Sequence, residues 1–157
     1  MLKIKFIVVD KTRLPFLKQG ESFFLERLAR YAQFQWIEVK PEKAKKGRPE
    51  EEIIKKEEDA VLKKLAPGDY LVALDRSGKQ FGSREFSEWL KDLSTRVDGW
   101  TCFVIGGPLG FSKNLVRRAD AVLSMSKMTF THEMSRLFLV EQVYRAFTIM
   151  EGSKYHK

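Results

Sequence analysis

The chain of 157 residues carries 29 Lys and Arg against 21 Asp and Glu, a net charge of +8, and its mass of 18.3 kDa suits one domain spanning residues 1–157. A hydrophobic fraction of 43%, with twelve Phe, is that of an ordinary globular core and excludes a disordered chain. One cysteine and two histidines exclude a disulfide framework, a multi-thiolate metal site and a His-rich zinc site; the expectation is a metal-free protein of the reducing cytosol.

In chain order, Ile4 to Val9 reads as a short β-branched strand; Lys5 interrupts it and Asp10 ends it, so it is too short and charged for a signal peptide. No stretch approaches membrane-spanning length. Phe24, Leu25, Leu28 and Tyr31 repeat at helical spacing within Phe16 to Tyr31, and Phe34 to Val39 is a second strand. The basic knot Lys40, Lys43, Lys45, Lys46 and Arg48, facing only Glu42, follows; it is a phosphate-contacting loop or a solvated linker. Pro49 and three glutamates open a helix with Ile53, Ile54, Val61, Leu62 and Leu65 on one face. After the turn Ala66 to Asp69, Tyr70 to Leu74 is a buried strand with Asp75 to Gly78 as its exit, and Ser83 is the expected cap of the helix carrying Phe86, Trp89, Leu90 and Leu93. Thr101 to Ile105 is a strand ending at Gly106 and Gly107. A short helix over Asn114 to Ala119, a strand at Ala121 to Leu123 and a long helix from Glu133 to Met150 complete the chain.

Five strands alternating with helices, the central ones apolar on both faces, predict an α/β fold with a mostly parallel sheet covered on both sides. Ligands of such sheets sit at the carboxyl ends of the strands, which directs attention to the loops after Leu74, Ile105 and Leu123. The glycines of Phe103 to Ser112 permit close backbone approach but match neither a dinucleotide fingerprint nor a P-loop, and a tight structural turn explains them equally. Met125 to Phe130 has the make-up of an apolar, adenine-sized pocket wall or of a packing loop. Thr131 is the expected cap of the last helix, with His132 in its first turn, where the helix dipole disfavours imidazolium. That helix is apolar around most of its circumference and sets Met134, Phe138, Glu141 and Arg145 on one face, which suggests a second copy as its cover. Glu141 and Arg145 form an internal ion pair, or Arg145 engages an anion or a base edge. The tail, Gly152 to Lys157, reads as frayed by composition, although Tyr155, His156 and two lysines are the mixture that RNA recognition uses. Cys102, in a buried strand, reads as inert core.

Five segments in order, LDRSGK at 74–79, IGGPLG at 105–110, SMSKMTFTH at 124–132, RLFLVEQVYRAF at 136–147 and the terminal YHK, together resemble the ribosomal large-subunit pseudouridine methyltransferase H family, a minimal branch of the SPOUT methyltransferases. The resemblance spans the chain, with departures at Leu109 and Thr131. It implies S-adenosyl-L-methionine as cofactor, methylation of N3 of a pseudouridine in the helix 69 stem-loop of large-subunit rRNA in the ribosome, a homodimer, and a C-terminal trefoil knot. Carried onto this chain, it implies a cofactor pocket of Leu74, Gly106, Met125, Ser126, Lys127, Met128, Thr129 and Phe130, with His132, Arg145, Tyr155 and His156 near the substrate. The rival expectation is a non-catalytic ribosome-binding protein of the same fold.

Overall fold

The computed structural model describes residues 1–157. Its elements are β1 (Lys3–Val9), α1 (Pro15–Leu28), β2 (Gln33–Val39), α2 (Glu50–Leu62), β3 (Tyr70–Lys79), α3 (Ser83–Arg96), β4 (Thr101–Ile105), α4 (Lys113–Arg118), β5 (Ala121–Leu123) and α5 (His132–Met150). The five strands form one sheet in the order β2-β1-β4-β3-β5, and all four pairings are parallel.

Alternation along the strands builds the two halves of the core. Ile4, Phe6 and Val8 of β1, with Phe103 and Ile105 of β4, face α1, α3 and α5. Ile7 and Val9, with Cys102 and Val104, face α2 and α4 through Val61 and Leu115. Helix α5 lies between α1 and α3, so Leu139, Val140, Val143 and Ala146 are fully buried while Phe138 remains 37% exposed. The Cys102 thiol is pushed up to about 12, chiefly by burial, and stays protonated, as the inert reading requires.

Two local expectations are corrected. Strand β3 does not end at Leu74 but runs to Lys79: both residues pair with Leu123, and the intervening Asp75 to Gly78 form an irregularity within the strand. The Asp75 carboxylate accepts from the Ser77 amide and hydroxyl there, giving the turn chemistry that reads as an exit. Gly78 passes so close to β5 that a Cβ would lie 2.6 Å from the Val122 carbonyl. Second, Gly82 rather than Ser83 is the cap position of α3. Glu85 reaches back to accept from the Gly82 amide, freeing the Ser83 hydroxyl to donate to Gln142 on α5 at 2.8 Å.

Candidate active site

Because the strands are parallel, the irregular segment of β3 and the loops leaving β4 and β5 lie at the same edge of the sheet, where they enclose a cleft of about 650 Å³. Its walls are Leu74 to Arg76, Ile105 to Phe111, and the β5–α5 loop, with His132, Glu133 and Ser135 of α5 at one side. The loop is held by its own polar residues: Met128 N donates to Ser126 Oγ at 3.0 Å, Ser124 Oγ donates to the Ser126 carbonyl at 3.0 Å, and Arg76 donates to Thr129 Oγ1 at 3.0 Å. Helix α2 supports the β4 exit from below, where Glu58 accepts from the amide and hydroxyl of Ser112, the cap of α4. A Cβ on Gly106 would come within 3.0–3.1 Å of the Gly110 backbone, so any larger residue would press this loop apart by a few tenths of an ångström.

Of the expected cofactor residues, Leu74, Gly106, Met125, Ser126, Met128, Thr129 and Phe130 all line the cleft. Lys127 lies in the same loop but is exposed and does not line it. The volume and the mixture of apolar side chains with free backbone edges are those of a small-molecule site. Leu74, Met125 and Phe130 offer apolar surface to such a ligand, and Gly106 bare backbone.

His132 stands at the rim of this cleft, in the first turn of α5, which Thr131 caps by accepting from Met134 N at 3.2 Å. Burial, and then the Arg136 guanidinium, holds its imidazolium below the ordinary 6.5, which favours the neutral ring.

The other three expected catalytic residues form a separate cluster. Arg145 donates from Nε (3.0 Å) and Nη2 (2.5 Å) to Glu141 Oε1, and its Nη1 lies 3.4 Å from His156 Nδ1. Tyr155 donates its hydroxyl to the same carboxylate at 3.0 Å, with its ring 4.7 Å from the guanidinium. Of the two readings of Arg145, the ion pair with Glu141 is present, and its Nη1 edge is turned to His156. The tail is not frayed; Ser153 N donates to the Thr148 carbonyl and Tyr155 packs edge-on to Tyr144. Burial, reinforced by the Glu141 carboxylate, pushes the Tyr155 phenol up to about 12, so it stays protonated and donates. Thirteen residues along α5 separate this cluster from His132, about 20 Å at the rise of an α-helix.

The family described as "Predicted SPOUT methyltransferase" matches residues 2–156. The chain belongs to the SPOUT methyltransferase family. Within it, a ribosomal RNA large subunit methyltransferase H from Streptococcus uberis is 41% identical over 99% of this chain and 100% of its own length. Its counterpart from Clostridioides difficile is 42% identical, again over 99% and 100%. A solved structure of a probable methyltransferase from Bordetella pertussis shares the fold at 12% identity, with a TM-score of 0.58 over 93% of this chain and 96% of that one.

This SPOUT chain also has supporting residues that pattern reading passes over. Glu133 accepts from the amides of Arg13 and Leu14 at the start of α1, and Arg136 is wholly buried beneath the same segment. Nothing local in the sequence marks either, because a charged residue in a helix reads as a solvated one.

Proposed function

We propose that this protein transfers a methyl group from S-adenosyl-L-methionine to N3 of a pseudouridine in the helix 69 stem-loop of large-subunit rRNA, acting as a cytoplasmic homodimer on the ribosome. The observation that carries the reading is one cleft at the carboxyl edge of the sheet, walled by the irregular segment of β3 and the loops after β4 and β5, with His132 at its rim. The resemblance adds the trefoil knot in the C-terminal segment. S-adenosyl-L-methionine supplies, when bound, a methyl group carried on a sulfonium, so the chain needs no metal.

What the residues must do follows from the target. An imide nitrogen is a poor nucleophile until it loses its proton, and the negative charge then spreads over two flanking carbonyls. His132, whose neutral form is favoured, accepts that proton through a ring nitrogen. Arg145 opposes the charge on the carbonyls, with Glu141 and Tyr155 fixing its plane. His156, beside Arg145, orients the base edge or receives the proton in turn; Tyr155 does not, because its phenol stays protonated.

One subunit holds these groups too far apart to act on one base. The open face of α5 offers the remedy: Phe138, almost midway between His132 and Arg145, is exposed and contacts Phe130 at 4.9 Å between ring centroids. An antiparallel pairing of two α5 helices about an axis near Phe138 brings Arg145 of the partner subunit to the His132 end. The site is then completed across the dimer.

The test is transfer of labelled methyl from S-adenosyl-L-methionine to ribosomes lacking the modification, with calorimetry of cofactor binding beside it. Cofactor binding with one methyl gained on that stem-loop supports the reading, whereas ribosome binding with no heat from the cofactor supports the non-catalytic alternative.

The basic knot lies at the carboxyl edge of β2, the same edge of the sheet as the cleft. Arg48 is not available to phosphate, being held by Glu42 at 3.0 Å and Glu52 at 3.3 Å, but Lys40, Lys43, Lys45 and Lys46 are exposed. Exchanging Lys45 and Lys46 for glutamate weakens ribosome binding and flattens its salt dependence, because fewer counterions are released. Filter binding across a salt series reads this, and cofactor affinity stays unchanged.

A further inference from the structure

Arg136 is the largest fully buried side chain in the protein. It stands one turn after His132 on α5. Its Nη1 donates to Thr12 Oγ1 at 3.1 Å and its Nη2 to the Val9 carbonyl at 2.5 Å, both in the segment that leads β1 into α1. Its Nε has no partner, and none of the protein's ion pairs includes it. The link to an acid is indirect: the Thr12 hydroxyl that accepts from Arg136 donates in turn to Glu21 Oε1 at 2.7 Å.

Burying a guanidinium without a direct counter-ion is costly, and clamping α5 to the β1–α1 segment does not require a charge. The charge acts instead on what lies one helical turn away, since residues four apart on a helix share a face. The other groups around His132 are already engaged. Glu133 is taken up by the amides of Arg13 and Leu14, and Asp10 by the Arg13 guanidinium at 3.0 Å. Across the cleft, Arg76 is bonded to Thr129 and Asp75 to Ser77. The Arg136 charge is left without a direct counter-ion.

We propose that Arg136 is a positioning residue for methyl transfer: its buried guanidinium, tied to Val9 and Thr12, fixes the first turn of α5 and makes the His132 ring a proton acceptor. The inference rests on the reading of His132 as the base. Its sign follows from charge: a cation beside imidazole disfavours a second cation, and the lowered His132 value has Arg136 as a cause after burial. Transfer then retains its base below pH 6.5, where an unperturbed histidine is mostly protonated.

The experiment follows the ring signals of His132 by NMR in the full-length protein through a pH titration. The only other histidine is His156, so His156→Gln leaves a single set of signals. The His132 midpoint lies below 6.5, and Arg136→Met raises it toward that value. Arg136→Lys keeps it low, and the acid limb of kcat/KM moves with the midpoint in each variant. Should Arg136→Met not fold, Glu21→Gln serves: removing the acid behind Thr12 leaves the guanidinium less balanced and lowers the midpoint further. A midpoint unmoved in the folded variant overturns the inference. An unchanged transfer rate in His132→Ala overturns instead the reading of His132 as the base, whatever the titration gives.

Discussion

Replacing Arg145 with methionine slows methyl transfer by about a hundredfold while leaving cofactor affinity at its wild-type value. Methionine keeps most of the volume and removes the charge that opposes negative charge on the base carbonyls. Leu74, Gly106, Met125 and Phe130, which line the cleft proposed for the cofactor, are untouched by the change. Glu141 stays satisfied in part, since Tyr155 and Gln142 still donate to it at 3.0 and 2.7 Å, so the fold survives. Lysine does not rescue the rate. The guanidinium places two donors on Glu141 and a third beside His156, a planar fork that an ammonium cannot reproduce. Single-turnover rates with calorimetry of the cofactor separate the two effects, and a parallel loss of cofactor binding counts against the assignment.

Asp69→Ala has its large effect on stability. Lys5 lies on β1 in the middle of the sheet, and its ammonium meets Asp69 Oδ2 at 2.7 Å with the two side chains only 9% and 2% exposed. Asp69 also accepts from Ala66 N and Trp100 N, both at 2.9 Å, and so ties the turn before β3 to the start of β4. Truncation leaves the ammonium with one long bond to the Lys64 carbonyl, 3.4 Å away, and two amides without their acceptor. The expected loss is about 3–5 kcal/mol by denaturant titration. Lys5→Met combined with Asp69→Leu recovers part of it, because the buried charge is then gone. The pH dependence has a definite sign. Burial raises the Asp69 value, but the bonds from Lys5 and the two amides outweigh it and hold the carboxyl below the ordinary 3.8. Its contribution is therefore present above 3.8 and is lost as pH falls through the lower folded value; the variant lacks that component of acid unfolding.

Much of this architecture is legible in the sequence because burial on both faces leaves a plain signature. Ile4 to Val9, broken only by Lys5, and Thr101 to Ile105 are apolar runs, and both are interior strands. The place of the cleft is legible too, since a parallel sheet must deliver the loops after Ile105 and Leu123 to one edge, where Leu74 to Arg76 of β3 also lie. What escapes is decided by long-range contact. Asp75 to Gly78 carries turn residues, yet the pairing of Lys79 with Leu123 draws the chain back into β3. Lys154 to Lys157 is polar, yet Tyr155 finds Glu141 and Tyr144 on the helix before it. Arg48 reads as a free cation until Glu42 and Glu52 are seen on either side of it. The resemblance groups His132 with Arg145, Tyr155 and His156, whereas helix geometry separates them. Only the exposed face around Phe138 suggests how both can serve one base.

The central claim, a site shared between two copies, is tested most directly by mixing two defective chains. His132→Ala and Arg145→Met are co-expressed with different tags, the mixed dimers are isolated, and methyl transfer to unmodified ribosomes is measured. Each mixed dimer contains one site with both residues intact and one with both replaced, so about half of wild-type activity returns, although either variant alone is slow. Recovery at that level is expected of a site shared between the two copies. Activity no greater than that of the separate variants contradicts it and returns both residues to a single subunit.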